Sequence, residues 1–600
     1  MVKSAFAVSV ICLSLASAFP SYAQDKAAPV AVAKAQDPAK ALANLADHYY
    51  DSLAKFDPIA ATINGDNRFD DMMTLNHVPS VRARQFAMLE GVRQDLMKID
   101  RSKLSDADRT TFDILVFDVQ TLLGFEPFKD HLIPMNHMDS VPVLLANLAS
   151  GQGSQPIGTV DQYKAYQKRL AQLPQWTDAA IANMRAGMRQ GVVIPKSLVV
   201  SLLPQIQALA AATPDKSDFG AALKNFPASM AKNDQERLAS GIRTEIANKT
   251  LPAMRRLATF LEREYLPAAR ASSGWNSLPQ GQAWYRAWIR YQTGTAMSPE
   301  EIHQIGLKEM ERITAEMAKV GPKLGYTGEA VGLARWMQAQ PQFKPYKTEQ
   351  EVIDAYKALN ASIMPKMPTM FGSMPKAPLE IRPEPELSKA TASDHYTAPA
   401  GDGSRPGIFW AVINDPKDYW STRMVSLFLH EGAPGHHFQL AKQVEMSIPN
   451  FRRYLINNAY AEGWGLYSET LGHELGLYEK DLNAYAGFLK QDMIRAARLV
   501  VDTGLHAKGW SREETIKFLM EKAGDSEAQA KNATERYMAW PAQALGYKIG
   551  ALKIMELRHR AEKTLGPKFS LSKFHDKVLE EGPLPLSLLE QKVDAWIKAQ

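Results

Sequence analysis

Residues 428–439 read Phe428-Leu429-His430-Glu431-Gly432-Ala433-Pro434-Gly435-His436-His437-Phe438-Gln439, and three of the chain's 13 histidines fall within them beside a glutamate. In a His-Glu-x-x-His zinc helix the two histidines stand at i and i+4 on one face, with the glutamate as general base. Here position i+4 is Pro434. Its ring clashes with the carbonyl four residues back, which belongs to His430 itself, so a regular helix must break or bulge. Gly435 supplies unusual backbone angles at that point. On an unbroken helix His436 would stand about 240° round and about 9 Å along from His430, a poor chelating pair. A two-residue bulge would return both to one face. The run therefore reads as an expanded zinc helix, with His430 and His436 as ligands and Glu431 as base. The bland alternative is that His430 caps or packs and that His436-His437 forms a polar corner after a turn.

A catalytic Zn2+ takes three protein ligands and keeps one position open, and two histidines with a glutamate are a standard set. The third ligand is expected from a neighbouring helix, and the candidate run is Tyr460-Ala461-Glu462-Gly463-Trp464-Gly465-Leu466-Tyr467-Ser468-Glu469. Glu462 and Glu469, seven apart, share a face. Gly463 and Gly465 admit close helix approach. Glu462 reads as the ligand and Glu469 as a carboxylate that orients a ligand histidine. Solvated carboxylates are the alternative, but Trp464, Leu466 and Tyr467 point to burial, where unpaired carboxylates are costly.

Working outward, residues 41–320 read as helix after helix, with apolar residues at three- and four-residue spacing over 160–173, 176–189 and 252–265. Ser105, Thr159 and Ser298 look like helix caps, and Pro195, Pro204, Pro214 and Pro227 read as joints. Prolines cluster between 364 and 415, where the short runs 379–382 and 408–413 look like strands. Helical patterning resumes at about residue 419. The expected fold is mainly α with a small sheet before the zinc helix. Its divisions would be an N-terminal lobe over about 41–360, the sheet over about 365–415 and a zinc-site lobe over about 416–600.

Composition narrows the chemistry. The chain carries one cysteine in 600 residues, which excludes a disulfide scaffold and a cysteine-based zinc site. Its net charge of +5, with no basic block, gives no sign of nucleic-acid binding. Lys3, the apolar stretch 5–18 and Ser21-Tyr22-Ala23 fit a cleaved signal over 1–23, which would remove Cys12. Residues 24–40 then read as a flexible mature terminus, and no later stretch is apolar enough to hold the protein in a membrane. The expected location is periplasmic or secreted.

At this point the sequence resembles the bacterial "domain of unknown function 885" family, relatives of zinc metallopeptidases. The carrying residues are the 430–436 and 462–469 runs, Arg498 through His506 with Gly509-Trp510-Ser511, and Arg536-Tyr537 through Pro541, Gln543, Ala544 and Tyr547 to Gly550. Phe574-His575-Asp576, Gly582-Pro583-Leu584-Pro585-Leu586 and Asp57-Pro58 through Gly65 also agree. The resemblance implies a large helical metallopeptidase-like fold, two lobes around a deep cleft, and favours His436 over His437 as ligand.

For mechanism, Glu431 would take a proton from water and pass it to the leaving amine. Tyr547, Tyr537 and His506, in that order, are candidates to stabilise the oxyanion. Arg498 could hold a substrate carboxylate bidentately. Arg498, Asp502 and His506 lie four apart, however, so a network within one helix is an equal reading. The expected function is an exported zinc-dependent peptidase acting on short or flexible peptides. A zinc hydrolase of a non-peptide amide or ester, and a non-catalytic peptide-binding protein, are the alternatives.

Overall fold

Apolar spacing of three and four residues becomes helix along most of the chain. The computed structural model describes residues 37–600 except 150–153, 387–388, 390–391, 402, 404 and 455. The expected signal over 1–23, Cys12 included, lies outside them. The first helix, Pro38–Phe56, takes in the last three residues of the expected flexible terminus. Pro38 at the first position and the Asp37 carboxylate accepting from the Ala39 amide start it there.

The expected caps all form. Ser105 accepts from Asp108, and Thr159 with Gln162 and Ser298 with Glu301 close reciprocal capping boxes. Two proline readings need correction. Pro204 lies inside the helix Lys196–Ala211, and the carbonyl it leaves free belongs to Val200, a solvent-exposed residue. Pro252 does not begin a helix either. Helix runs without interruption from Lys232 to Ala268, and a π-helical stretch precedes each of Pro252 and Pro267. The wider turns accommodate the missing amide hydrogens.

Three strands make the small sheet: β1 (Leu379–Pro383), β2 (His395–Thr397) and β3 (Gly407–Ala411). β3 is central, parallel to β1 and antiparallel to β2. β2, at three residues, carries no alternation that could be read. Phe409 on β3 is fully buried and packs against Phe428, which seats the sheet beside the histidine-bearing helix.

Six helices build the site: α1 (Met424–Glu431), α2 (His436–Glu445), α3 (Asn458–Thr470), α4 (Leu482–His506), α5 (Glu527–Ala539) and α6 (Leu545–Leu565). α3 and α6 touch backbone to backbone, since a Cβ on Gly463 would fall 2.6 Å from the Gly550 Cα. One apolar core is continuous from Leu42 to Ile597 and ties both ends of the chain to these helices. Among the described residues, no helix is long and apolar enough to cross a membrane.

Candidate metal centre

Pro434 does interrupt the helix, but as a clean break rather than a bulge. α1 ends at Glu431, residues 432–435 turn, and α2 begins at His436. The Ala433-Pro434 peptide is cis. The His437 amide donates to the Gly432 carbonyl across the turn. Trp464 on α3 donates its indole hydrogen to the carbonyls of Pro434 and Gly435, at 2.9 and 3.2 Å. Gly435 has no substitute here, because a Cβ would lie 1.9 Å from the His430 carbonyl oxygen.

This turn folds His436 back onto His430, with ring centroids 4.7 Å apart and nearly perpendicular. Glu462 Oε2 lies 3.3 Å from His430 Nε2 and 3.5 Å from His436 Nε2. One donor atom from each of His430, Glu431 and His436 falls within 4.8 Å of the others. His437 faces away, its Nδ1 hydrogen-bonded to the Tyr396 hydroxyl of β2 at 2.9 Å. Burial pushes its basicity down to about 4, so it stays neutral there.

The seven-residue spacing of Glu462 and Glu469 brackets one ring. Glu469 Oε1 accepts from His430 Nδ1 at 2.9 Å, which leaves Nε2 directed at Glu462 and His436. Gly465 lies between the two glutamates, and a Cβ there would press within 2.7 Å of the His430 ring. Glu469 is wholly buried, accepts the Ser426 hydroxyl and lies 3.5 Å from Arg495. It therefore fixes which nitrogen His430 presents.

Burial alone would lower the basicity of His430, but hydrogen bonds to Glu462 and Glu469 and the nearby Glu431 charge lift it to about 10. Burial likewise opposes ionisation of Glu462, yet its two histidine partners hold it well below the usual carboxylate range. Glu431 goes the other way: burial raises it, and the two histidines offset only part of that rise. No side chain among the described residues hydrogen-bonds its carboxyl. The donor set suits a divalent ion of the zinc type, two imidazole nitrogens and a carboxylate oxygen already converging, with Glu431 alongside.

The remaining candidates divide. Tyr547 on α6 belongs to the site, its ring nearly parallel to that of His430 at 6.3 Å. Arg498 on α4 lies 4.5 Å over the Tyr547 ring and donates Nε to the Tyr537 hydroxyl at 3.3 Å. Tyr537 therefore meets the site through Arg498. His506 is walled off. Its Nδ1 accepts from the Trp275 amide at 3.2 Å and its Nε2 donates to the Tyr537 carbonyl at 2.9 Å. Burial drops its basicity to about 3.

Asp502 takes the Tyr285 hydroxyl and the Ala542 amide, and burial pushes it up to about 7. The network within one helix does not form, because Arg498, Asp502 and His506 bond to residues outside their helix and not to one another. One functional neighbour had no role assigned from the sequence: Arg536, whose Nη2 donates to the Gln543 side chain at 3.0 Å and to the Tyr547 hydroxyl at 3.4 Å. Its place one residue before Tyr537 in the 536–550 run was the available signal.

Two cavities, of about 380 and 550 Å³, share Ile133, Asn136, Asp139 and Trp288 in their walls. Neither is lined by His430, His436 or Glu462. The smaller is bounded by Trp540 and Gln543, and Gln543 connects it to Arg536.

The model of a family described as "Bacterial protein of unknown function (DUF885)" matches residues 58–593. No curated protein matches the chain. A crystal structure of a "putative lipoprotein" from Colwellia psychrerythraea is similar, with TM-score 0.87 and 28% identity over 94% of this chain and 100% of the other. A "putative lipoprotein of unknown function" from Shewanella oneidensis shares the fold, with TM-score 0.73 and 17% identity over 92% of this chain and 99% of the other.

Proposed function

The chain belongs to the DUF885 family, and from that premise we propose that it is an exported zinc-dependent peptidase acting on short or flexible peptides. One observation carries the reading: Glu462 Oε2 meets the Nε2 atoms of His430 and His436 at 3.3 and 3.5 Å, with Glu431 beside them. His430, His436 and Glu462 would hold the ion. When bound, Zn2+ supplies the Lewis acid that polarises a carbonyl and eases ionisation of water.

The chain's own residues do the rest. Glu431, whose carboxyl burial raises and no side chain among the described residues hydrogen-bonds, is suited to accept a proton from the attacking water and return it to the leaving nitrogen. Glu469 keeps His430 in the tautomer that presents Nε2. Tyr547 is the candidate donor to the developing oxyanion. The two-lobed, metallopeptidase-like arrangement around a deep cleft belongs to this proposal. Export is supported by the pattern of residues 1–23 and by the description of the Colwellia psychrerythraea relative as a "putative lipoprotein".

Metal analysis and a digest of a peptide library test the reading together. About one zinc per chain is expected, as in a single catalytic site, and it should be lost in Glu462→Ala. Glu431→Gln should keep the metal and lose about 10²- to 10⁴-fold in turnover, the range of general acid–base catalysis. A metal-free preparation that still cleaves, or undiminished turnover in Glu431→Gln, overturns the proposal.

A further inference from the structure

Two guanidinium groups converge on Tyr547 beside the ligand set, Arg498 over its ring and Arg536 at its hydroxyl. Their polar partners are all neutral: Tyr537 for Arg498, and Gln543 and Tyr547 for Arg536. Among the described residues, no carboxylate lies within ion-pair distance of either. Arg498 Nη1 and Arg536 Nε are buried with no hydrogen-bond partner at all. Arg423 differs in lying 3.0 Å from Asp394, whereas Arg452 also has an unpartnered buried Nε although its other nitrogens donate to Thr111 and to the Glu581 carbonyl. A guanidinium that leaves a buried nitrogen without an acceptor is a costly arrangement. Two of them around one phenol mark a place where an anion completes the structure.

The site's position says which anion. Arg498 is near enough to Glu462 to feel its charge, and Tyr547 stacks between the arginines and His430. A planar carboxylate held here, paired with guanidinium edges, would sit close beside the carbonyl that faces His430, His436 and Glu462. We propose that Arg498 and Arg536 form a subsite for the free α-carboxylate of a peptide, so that cleavage occurs near the C-terminus and not in the interior of a chain. The proposal rests on the hydrolytic reading above. Water adds across the C–N bond, its oxygen to the carbonyl carbon and a proton to the leaving nitrogen. The released product carries the anchored carboxylate.

The test compares one short peptide as free acid and as C-terminal amide, with the full-length zinc-loaded protein. Removing a charge-assisted hydrogen-bonding partner is worth about 10- to 100-fold. The free acid should therefore be cut at least about tenfold more efficiently, in kcat/KM, than the amide. In parallel, calorimetry with N-acetyl-phenylalanine and its amide should show the same preference in Kd. Arg498→Gln and Arg536→Gln should each weaken acid binding while leaving amide binding unchanged, and Arg498→Lys should recover part of it. Equal binding and cleavage of acid and amide overturns the subsite and leaves the hydrolytic reading standing. Acid-selective binding without any cleavage supports the subsite and overturns the hydrolytic reading. The acid–amide contrast in the unmodified protein decides the matter even where a variant does not fold.

Discussion

Arg169 is a buried arginine and Arg498 a half-buried one, both on helices, yet they are finished to different degrees. Arg169 is 0% exposed, and its guanidinium donates to the carbonyls of Met72 and Phe69, to Gln155 and to Thr62, with Asp70 at 3.7 Å. It staples the turn before residue 74 to the helix Val160–Leu170. Arg498 has one tyrosine hydroxyl and a ring face. Histidines repeat the contrast. His506 and His575 have both ring nitrogens bonded, whereas His436 keeps a buried Nδ1 with no partner. A satisfied polar group in a core works for the fold. An unsatisfied one, clustered with others of its kind, marks where something else binds.

The sharpest way to break this comparison is to remove each arginine in turn. Arg169→Met should cost about 3–5 kcal/mol of stability, because it strands Asp70 and several carbonyls in the core. Arg498→Gln strands no carboxylate and should stay within about 1 kcal/mol of the parent protein, while lowering affinity for acid-ended peptides. Denaturant unfolding of both variants measures it. A similar loss in the two would erase the distinction.

Much of this was legible from residue order, and the failures have physical causes. Glu462 and Glu469 share a helix face at any reading of their spacing, and Gly465 between them leaves room for the ring they bracket. Pro434 announced a break, but its form depended on Trp464, thirty positions on, which caps the turn's carbonyls. Pro204 reads as a joint, and Pro252 as the first residue of a helical segment, because proline disfavours helix interiors locally. A solvent-facing carbonyl and π-helical turns accommodate them instead. His506 looked catalytic because its type is; only the fold reveals that the Trp275 amide and the Tyr537 carbonyl consume both nitrogens. Arg536 stands in the 536–550 run, but residue order does not show that it lacks a carboxylate partner among the described residues.

A smaller effect sharpens the comparison within the metal centre itself. Glu469 is the satisfied half of the site and Glu462 the open half. Glu469→Gln keeps an acceptor for His430 Nδ1 but removes the charge, so zinc affinity should fall by about 10- to 100-fold, the usual effect of altering a ligand's outer partner. Competition with a chelating dye measures it. Unchanged affinity would mean that Glu469 serves packing alone.

The smallest effect separates the histidines by pH. The His506 imidazole is held neutral in the fold, with its basicity depressed to about 3 by burial, against about 6.5 in an unfolded chain. Above pH 6.5 neither state binds a proton there, and the residue contributes no pH dependence. As pH falls below 6.5 the unfolded chain takes up a proton that the folded one refuses. Stability should then drop by about 1.4 kcal/mol per pH unit from this group until pH approaches 3. His506→Gln removes that proton from the balance. Between pH 6 and 5 the variant's unfolding free energy should therefore fall less steeply than the parent's, by about 1.4 kcal/mol over the unit. Any acid release of metal from His430 and His436 acts on both proteins alike and cancels in the difference. Parallel slopes would show that His506 is protonated in the fold, and would move it from the satisfied class of histidines to the open one.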